Sequence, residues 1–187
     1  DITEFLKGKG LPKSELIEGG KSKCIHYGEL FTKYGEVINE IKSCTNSNIN
    51  VFLSKSNDVL MPTSDVTPNG LATGSALYED DIVLGGDVLV IRSDAAKLHG
   101  GFLAYQISVN KPQIMSLISG TTVYHLYGSD MSRFEFYAPK VDEQKEIINI
   151  LEDMSREINS LEIKRMKLSN MKQGMMQELL TGKTRLI

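Results

Sequence analysis

The rhythm of apolar and polar positions changes once along this chain, at Pro139. Before it, short apolar runs alternate with turn residues. NINVFLS (48–54), NDVLMP (57–62), DDIVLGGDVLVIRS (80–93) and TTVYHLYG (121–128) are rich in Val, Ile, Leu and Tyr and are bounded by Asn, Asp, Gly and Pro, which predicts strands. GGFLAYQISVNKPQIMSLISG (100–120) reads instead as one or two short helices around Pro112, ended by Gly120. Residues 1–139 are therefore expected to form an α+β domain with a substantial sheet.

From residue 140 to 187 the pattern is that of one long helix. Pro139 disfavours helix before it, Asp142 is a suitable N-cap, no proline occurs from there to Leu180, and Gly182 offers a stop. Counted by sevens, Ile147, Met154, Leu161, Leu168 and Met175 make one apolar column, and Leu151, Ile158, Arg165, Lys172 and Leu179 its companion. This is a coiled-coil heptad with two basic residues in the middle of one column. At 1.5 Å rise per residue, residues 142–180 span roughly 58 Å, more than a domain of this size covers. A second long helix, in the same polypeptide or in another copy, is the expected partner, with Arg165 and Lys172 selecting the register. The competing expectation is a helix folded back on its own domain.

Composition excludes several classes. With 41% hydrophobic and 24% charged residues in 187, the chain suits one soluble domain, or one domain plus an appendage. No run approaches the roughly 18 to 20 apolar residues of a membrane span, and DITEFLKGKG lacks a signal-peptide core, so the cytoplasm is the expected compartment. The start at Asp1 rather than Met is read as a trimmed N-terminus. Net charge is −3, yet residues 7–33 carry six lysines against three glutamates, a local positive surplus that a polyanion could meet. The glycines match neither a P-loop nor a dinucleotide fingerprint, and Cys24 and Cys44 belong to no zinc spacing, so neither a metal nor another cofactor is expected. Cys24 and His26 are the only nucleophile and base within two residues. A buried thiol beside a surface histidine explains them as well as a hydrolase or transferase does.

The ordered series IHYGELFTKYG (25–35), DVLMPTS (58–64), GGDVLVIRS (85–93), GFLAYQIS (101–108), SGTT (119–122), Pro139, EQKEI (143–147) and LLTGK (179–183) resembles the specificity subunit of type I restriction-modification systems. The resemblance implies a target recognition domain, residues 1–139, followed by a helical spacer, 140–187, for dimerisation and subunit docking. Such subunits usually carry two units of this kind, so the chain looks like a half-length form or half of a longer one. The tryptophan-bearing segment that often opens the family domain is missing, which leaves the first strand in doubt.

As implied by the resemblance, the partners are double-stranded DNA, methyltransferase subunits that use S-adenosylmethionine, and a restriction subunit. Two copies, or this half and a second one, would pair antiparallel through Ile147, Leu151, Met154, Ile158, Leu161, Arg165, Leu168, Lys172, Met175 and Leu179. The candidate DNA-facing residues are Thr32, Lys33 and Tyr34 in the first motif and Thr63 and Ser64 on the PTSDVTPNG loop. Lys97 and His99 before Gly100, and Thr121, Thr122 and His125 after Gly120, complete the set. Each has a plain structural alternative: strand packing for the threonines, solvation for the lysines. A coiled-coil scaffold that never meets DNA is the rival function, because the heptad serves both.

Overall fold

The computed structural model of the protein describes residues 2–187. In chain order the elements are β1 (Thr3–Lys7), β2 (Ser22–Ile25), α1 (Glu29–Thr32), β3 (Ser43–Thr45), β4 (Phe52–Leu53), β5 (Asp58–Pro62), β6 (Ser64–Asp65) and α2 (Pro68–Leu71). They continue with β7 (Ser75–Leu77), β8 (Val83–Leu84), β9 (Val88–Ser93), α3 (Gly100–Val109), α4 (Lys111–Leu117), β10 (Tyr124–His125), α5 (Gly128–Met131) and α6 (Val141–Leu180). The chain divides into two units, one ending at Lys145 and one running from Glu146 to Ile187.

The first unit is α+β. One sheet has the order β1-β9-β5-β7, all neighbours antiparallel; another has the order β3-β2-β8-β4, with β2 and β8 parallel; β10 and β6 form a two-stranded ribbon. In β5, every residue of DVLMP is buried, and in β9 the first four of VLVIRS are, as expected of inner strands covered on both faces. Leu60, Val88 and Val90 from the first sheet meet Ile25 and Leu84 from the second in one core. Burying each such side chain contributes about 2 kcal/mol before the entropic cost of ordering it. α3 lies against β5 and β7, burying Phe102, Leu103, Ala104 and Ile107.

Two polar anchors hold the loops at the Ser93 end of β9. Arg92 grips the fully buried Asp58 with two bonds, Nε to Oδ1 at 2.8 Å and a terminal nitrogen to Oδ2 at 2.7 Å. The buried Asn57 donates to the Leu98 carbonyl and accepts from the Gly100 N–H at 2.7 Å. Both satisfy groups that would be costly to leave unpaired.

IHYGELFTKYG closes β2 and then makes the single helical turn α1, because the Glu29 carboxylate accepts the His26 N–H and closes the chain into a helical start. Two local expectations need correction. TTVYHLYG is strand only at Tyr124–His125; Thr121 and Thr122 belong to an exposed turn. That turn requires Gly120, whose φ is +111° and whose added Cβ would lie 2.1 Å from the Val123 carbonyl oxygen. Lastly, α6 begins at Val141, so Asp142 sits inside the first turn rather than capping it; its carboxylate still faces the positive end of the helix dipole.

α6 runs unbroken for 40 residues, roughly 60 Å. It is continuous because nothing in it interrupts the backbone ladder except Gly174, which an isolated helix tolerates at about 1 kcal/mol. In the second unit its apolar stripe is open to solvent: Met154, Ile158, Leu161, Leu168 and Met175 are each more than half exposed. Among the described residues no helix is long and apolar enough to cross a membrane.

Candidate nucleic-acid interface

Strand register decides which loops share an end of the first unit. Lys7 pairs with Leu89 and Pro62 with Val88, so the chain leaving β1, the chain leaving β5 and the chain entering β9 emerge together. The loop Gly8–Lys13 lies on Gly85 and Gly86: Lys9 N–H donates to the Leu84 carbonyl at 3.0 Å and Gly86 N–H to that of Gly10 at 2.8 Å. Only glycine permits this approach, since a Cβ on Gly8 would stand 2.0 Å from the Gly85 oxygen. The result is an exposed rim carrying Lys7, Lys9 and Lys13, of which Lys7 is 3.6 Å from Asp87.

Beside the rim stands the β6–β10 ribbon. Ser64 pairs with His125 and Asp65 with Tyr124; the Leu126 N–H donates to the Thr63 carbonyl, and Ser119 and His125 exchange backbone bonds at 3.0 and 2.8 Å on the other side of β10. The turn 120–123 and the segment 65–67 therefore lie at one end of the ribbon, with α2 packed against both of its strands. Asp65 orders its half: Oδ1 accepts from the Val66 N–H and Oδ2 from the Thr67 hydroxyl, both at 2.7 Å. Thr67, Thr121 and Thr122 are exposed there, and His125 stacks on Tyr127 with ring centroids 5.9 Å apart. A ribbon end of hydroxyls on a rigid double strand, with lysines alongside, has the chemistry needed to meet base edges and phosphates together.

The structure gathers some of the sequence-derived candidates and separates others. Ser64, Thr121, Thr122 and His125 converge on the ribbon. Thr63 is next to them but buried, its N–H donating to the Asp87 carbonyl, so its side chain packs while its backbone sets the ribbon's position. Thr32 is exposed, its hydroxyl bonded to the Gly28 carbonyl. Lys33 pairs with the buried Glu29 at 2.7 Å, so its charge is already compensated. Burial alone would push the Glu29 carboxyl up, but the bonds it accepts from Lys33, Ser43 and the His26 N–H outweigh this and hold it below the usual range. Tyr34 packs against the core and its hydroxyl accepts from the Lys42 N–H; burial drives its pKa up to about 12.

Lys97 and His99 lie beyond Ser93, at the opposite end of β9 from the ribbon, roughly 20 Å away by strand length. Lys97 sits 3.5 Å from Asp94, and burial lowers the pKa of His99, favouring the neutral ring. What gathers there is a clamp. The fully buried Gln144 accepts from the His99 N–H at 2.9 Å and donates to the carbonyls of Lys97 at 3.1 Å and Pro139 at 2.8 Å. Nor does the Cys24–His26 pair make a reactive couple. Cys24 is fully buried, which raises its thiol pKa to about 12, and His26 Nδ1 accepts from the Gly28 N–H. Lys9, Lys13, Asp65 and Thr67 were not among the residues singled out from sequence. The lysine surplus in 7–33 was the available signal, but only the pairing of β1 with β9 puts those lysines beside the ribbon.

The first unit is thus an α+β fold with a ribbon beside a lysine rim, and the second is a long helix. A family model described as the type I restriction modification DNA specificity domain matches residues 1–168, and the chain belongs to that family. Among solved structures it is similar to the S subunit of a type I restriction-modification system from M. genitalium, with 18% identity and a TM-score of 0.58 over 86% of this chain. It is also similar to the HsdS subunit from Thermoanaerobacter tengcongensis, with 15% identity and a TM-score of 0.58 over 95% of this chain. A third similar chain, from a study of complex assembly and conformational transition of the type I system, shares 14% identity at a TM-score of 0.64 over 95% of this chain. These matches span 38%, 42% and 43% of the three solved chains, respectively.

Proposed function

We propose that this chain is a non-catalytic recognition subunit, or recognition half, of a type I restriction-modification complex, reading one part of a split duplex target. The family match carries the reading, and the exposed hydroxyls at the ribbon end beside a lysine rim support it. Lys9 and Lys13 contact phosphates, which supply affinity and register. Ser64, Thr67, Thr121, Thr122 and His125 face base edges, which supply selectivity. Methylation is performed by partner subunits that use S-adenosylmethionine, and cleavage by a restriction subunit. A reader that grips the duplex assists a methyltransferase that must flip its adenine out of the stack.

In this reading the open stripe of α6 is covered by a second long helix. Two copies pair antiparallel, or this half pairs with another, so that two readers address two half-targets with unread base pairs between them. The cytoplasm is the compartment where such a complex meets its DNA. The test is binding of the chain with its methyltransferase to a pool of random duplexes at several salt concentrations. Selection of a split motif is expected, and Lys9→Ala or Lys13→Ala should each flatten the salt dependence by about 0.9 in log–log slope without changing the motif. Complexes that assemble through α6 but bind all duplexes alike would favour the scaffold.

A further inference from the structure

The ribbon end carries an apolar pair that a purely polar reader has no use for. Val66 is 71% exposed and Val123 is 44% exposed, each one residue beyond the paired positions of β6 and β10. Asp65 and Tyr124 are the last paired positions of the ribbon, so Val66 and Val123 adjoin the same end of it. Thr67, which precedes α2, and Thr122 are exposed nearby. Two valines and two threonines thus stand near the end of the ribbon, where Asp65 orders its half through the Val66 N–H and the Thr67 hydroxyl. Exposing two valines to water brings no folding benefit, so the patch is suited to an apolar group on the ligand.

Resting on the reading of the chain as a duplex reader, we infer that Val66 and Val123 are specificity-determining residues that contact the 5-methyl group of a thymine in the major groove. Width and chemistry both point there. The major groove admits a two-stranded ribbon, the thymine methyl is the apolar feature of its floor, and small aliphatic side chains are suited to touch it. The lysine rim at the same end holds the flanking phosphates, and the hydroxyls of Thr67 and Thr122 take the neighbouring polar edges.

The experiment uses the full chain assembled with its methyltransferase, and two versions of its selected duplex: one with thymine, the other with uracil at every thymine position. Uracil pairs identically but lacks the methyl. Wild type should lose about four-fold in affinity for each methyl contact removed, the worth of burying one such group. Val66→Ser and Val123→Ser should bind the two duplexes alike while keeping their melting temperature, since neither valine is in the core. Equal binding of both duplexes by wild type, with the motif otherwise intact, would overturn the methyl contact and leave DNA reading standing. So would serine variants that still discriminate. Absence of any selective duplex binding would overturn the recognition function itself, and this inference with it.

Discussion

Gln144→Ala removes a side chain that satisfies three backbone groups at once. The wild-type amide is fully buried and spans 2.9 Å to the His99 N–H, 3.1 Å to the Lys97 carbonyl and 2.8 Å to the Pro139 carbonyl. Truncation leaves one donor and two acceptors without partners, at about 1 kcal/mol each, so the first unit should lose about 3 kcal/mol. For a chain of this size that corresponds to a fall in melting temperature of about 9 °C. Urea unfolding of the full chain measures it, with an unchanged m-value confirming that the same transition is being compared. Gln144→Glu sharpens the test. It keeps the acceptor for the His99 N–H but sets a carboxylate oxygen against two carbonyls, so at neutral pH it should be worse than alanine. Acidification should recover part of the loss, because a protonated carboxyl regains one donor. If Gln144→Ala unfolds within 0.5 kcal/mol of wild type, a figure of the order expected for a surface change, the clamp contributes nothing and the first turn of α6 is held by packing alone.

Three further outcomes follow from the same geometry. Leu161→Asp puts a carboxylate in the middle of the apolar stripe, costing a paired-helix assembly about 4 kcal/mol; sedimentation should show dissociation, whereas an unchanged assembly would place Leu161 outside the contact. Glu29→Gln should cost about 2 kcal/mol and remove part of the acid sensitivity: the lowered Glu29 pKa gives stability that is full above the ordinary glutamate value and is lost as pH falls through the folded value, so the variant's stability should decline less over that interval. An equally steep acid limb in both proteins would exclude this role. In thiol labelling of the native chain near pH 8, Cys44 should react well before Cys24, whose fully buried thiol has its pKa raised to about 12; equal rates would contradict that burial.

The long helix was legible in the sequence because its determinants are local: a proline before it, no breaker within it, and an apolar column repeating every seven residues. The same holds for β5 and β9, whose continuous Val, Ile and Leu runs mark inner strands wherever they sit. Family membership was likewise readable from an ordered set of short motifs, since their spacing survives in the chain itself. The site was only partly readable. Thr63 and Ser64 are adjacent in sequence and chemically alike, yet one is buried between β5 and β6 with its N–H on the Asp87 carbonyl, and the other pairs with His125 on the ribbon. Lys33 and Lys9 look equally free as letters, but the fold gives the first a buried carboxylate partner and leaves the second on an exposed rim. Likewise, Lys97 and His99 were grouped with residues that the register of β5 and β9 sends to the opposite end of the sheet. Local propensity and periodicity belong to consecutive residues, so a sequence carries them openly. Which distant loops meet, and which charges arrive already paired, depends on strand order and register, and those are settled only when the whole core packs.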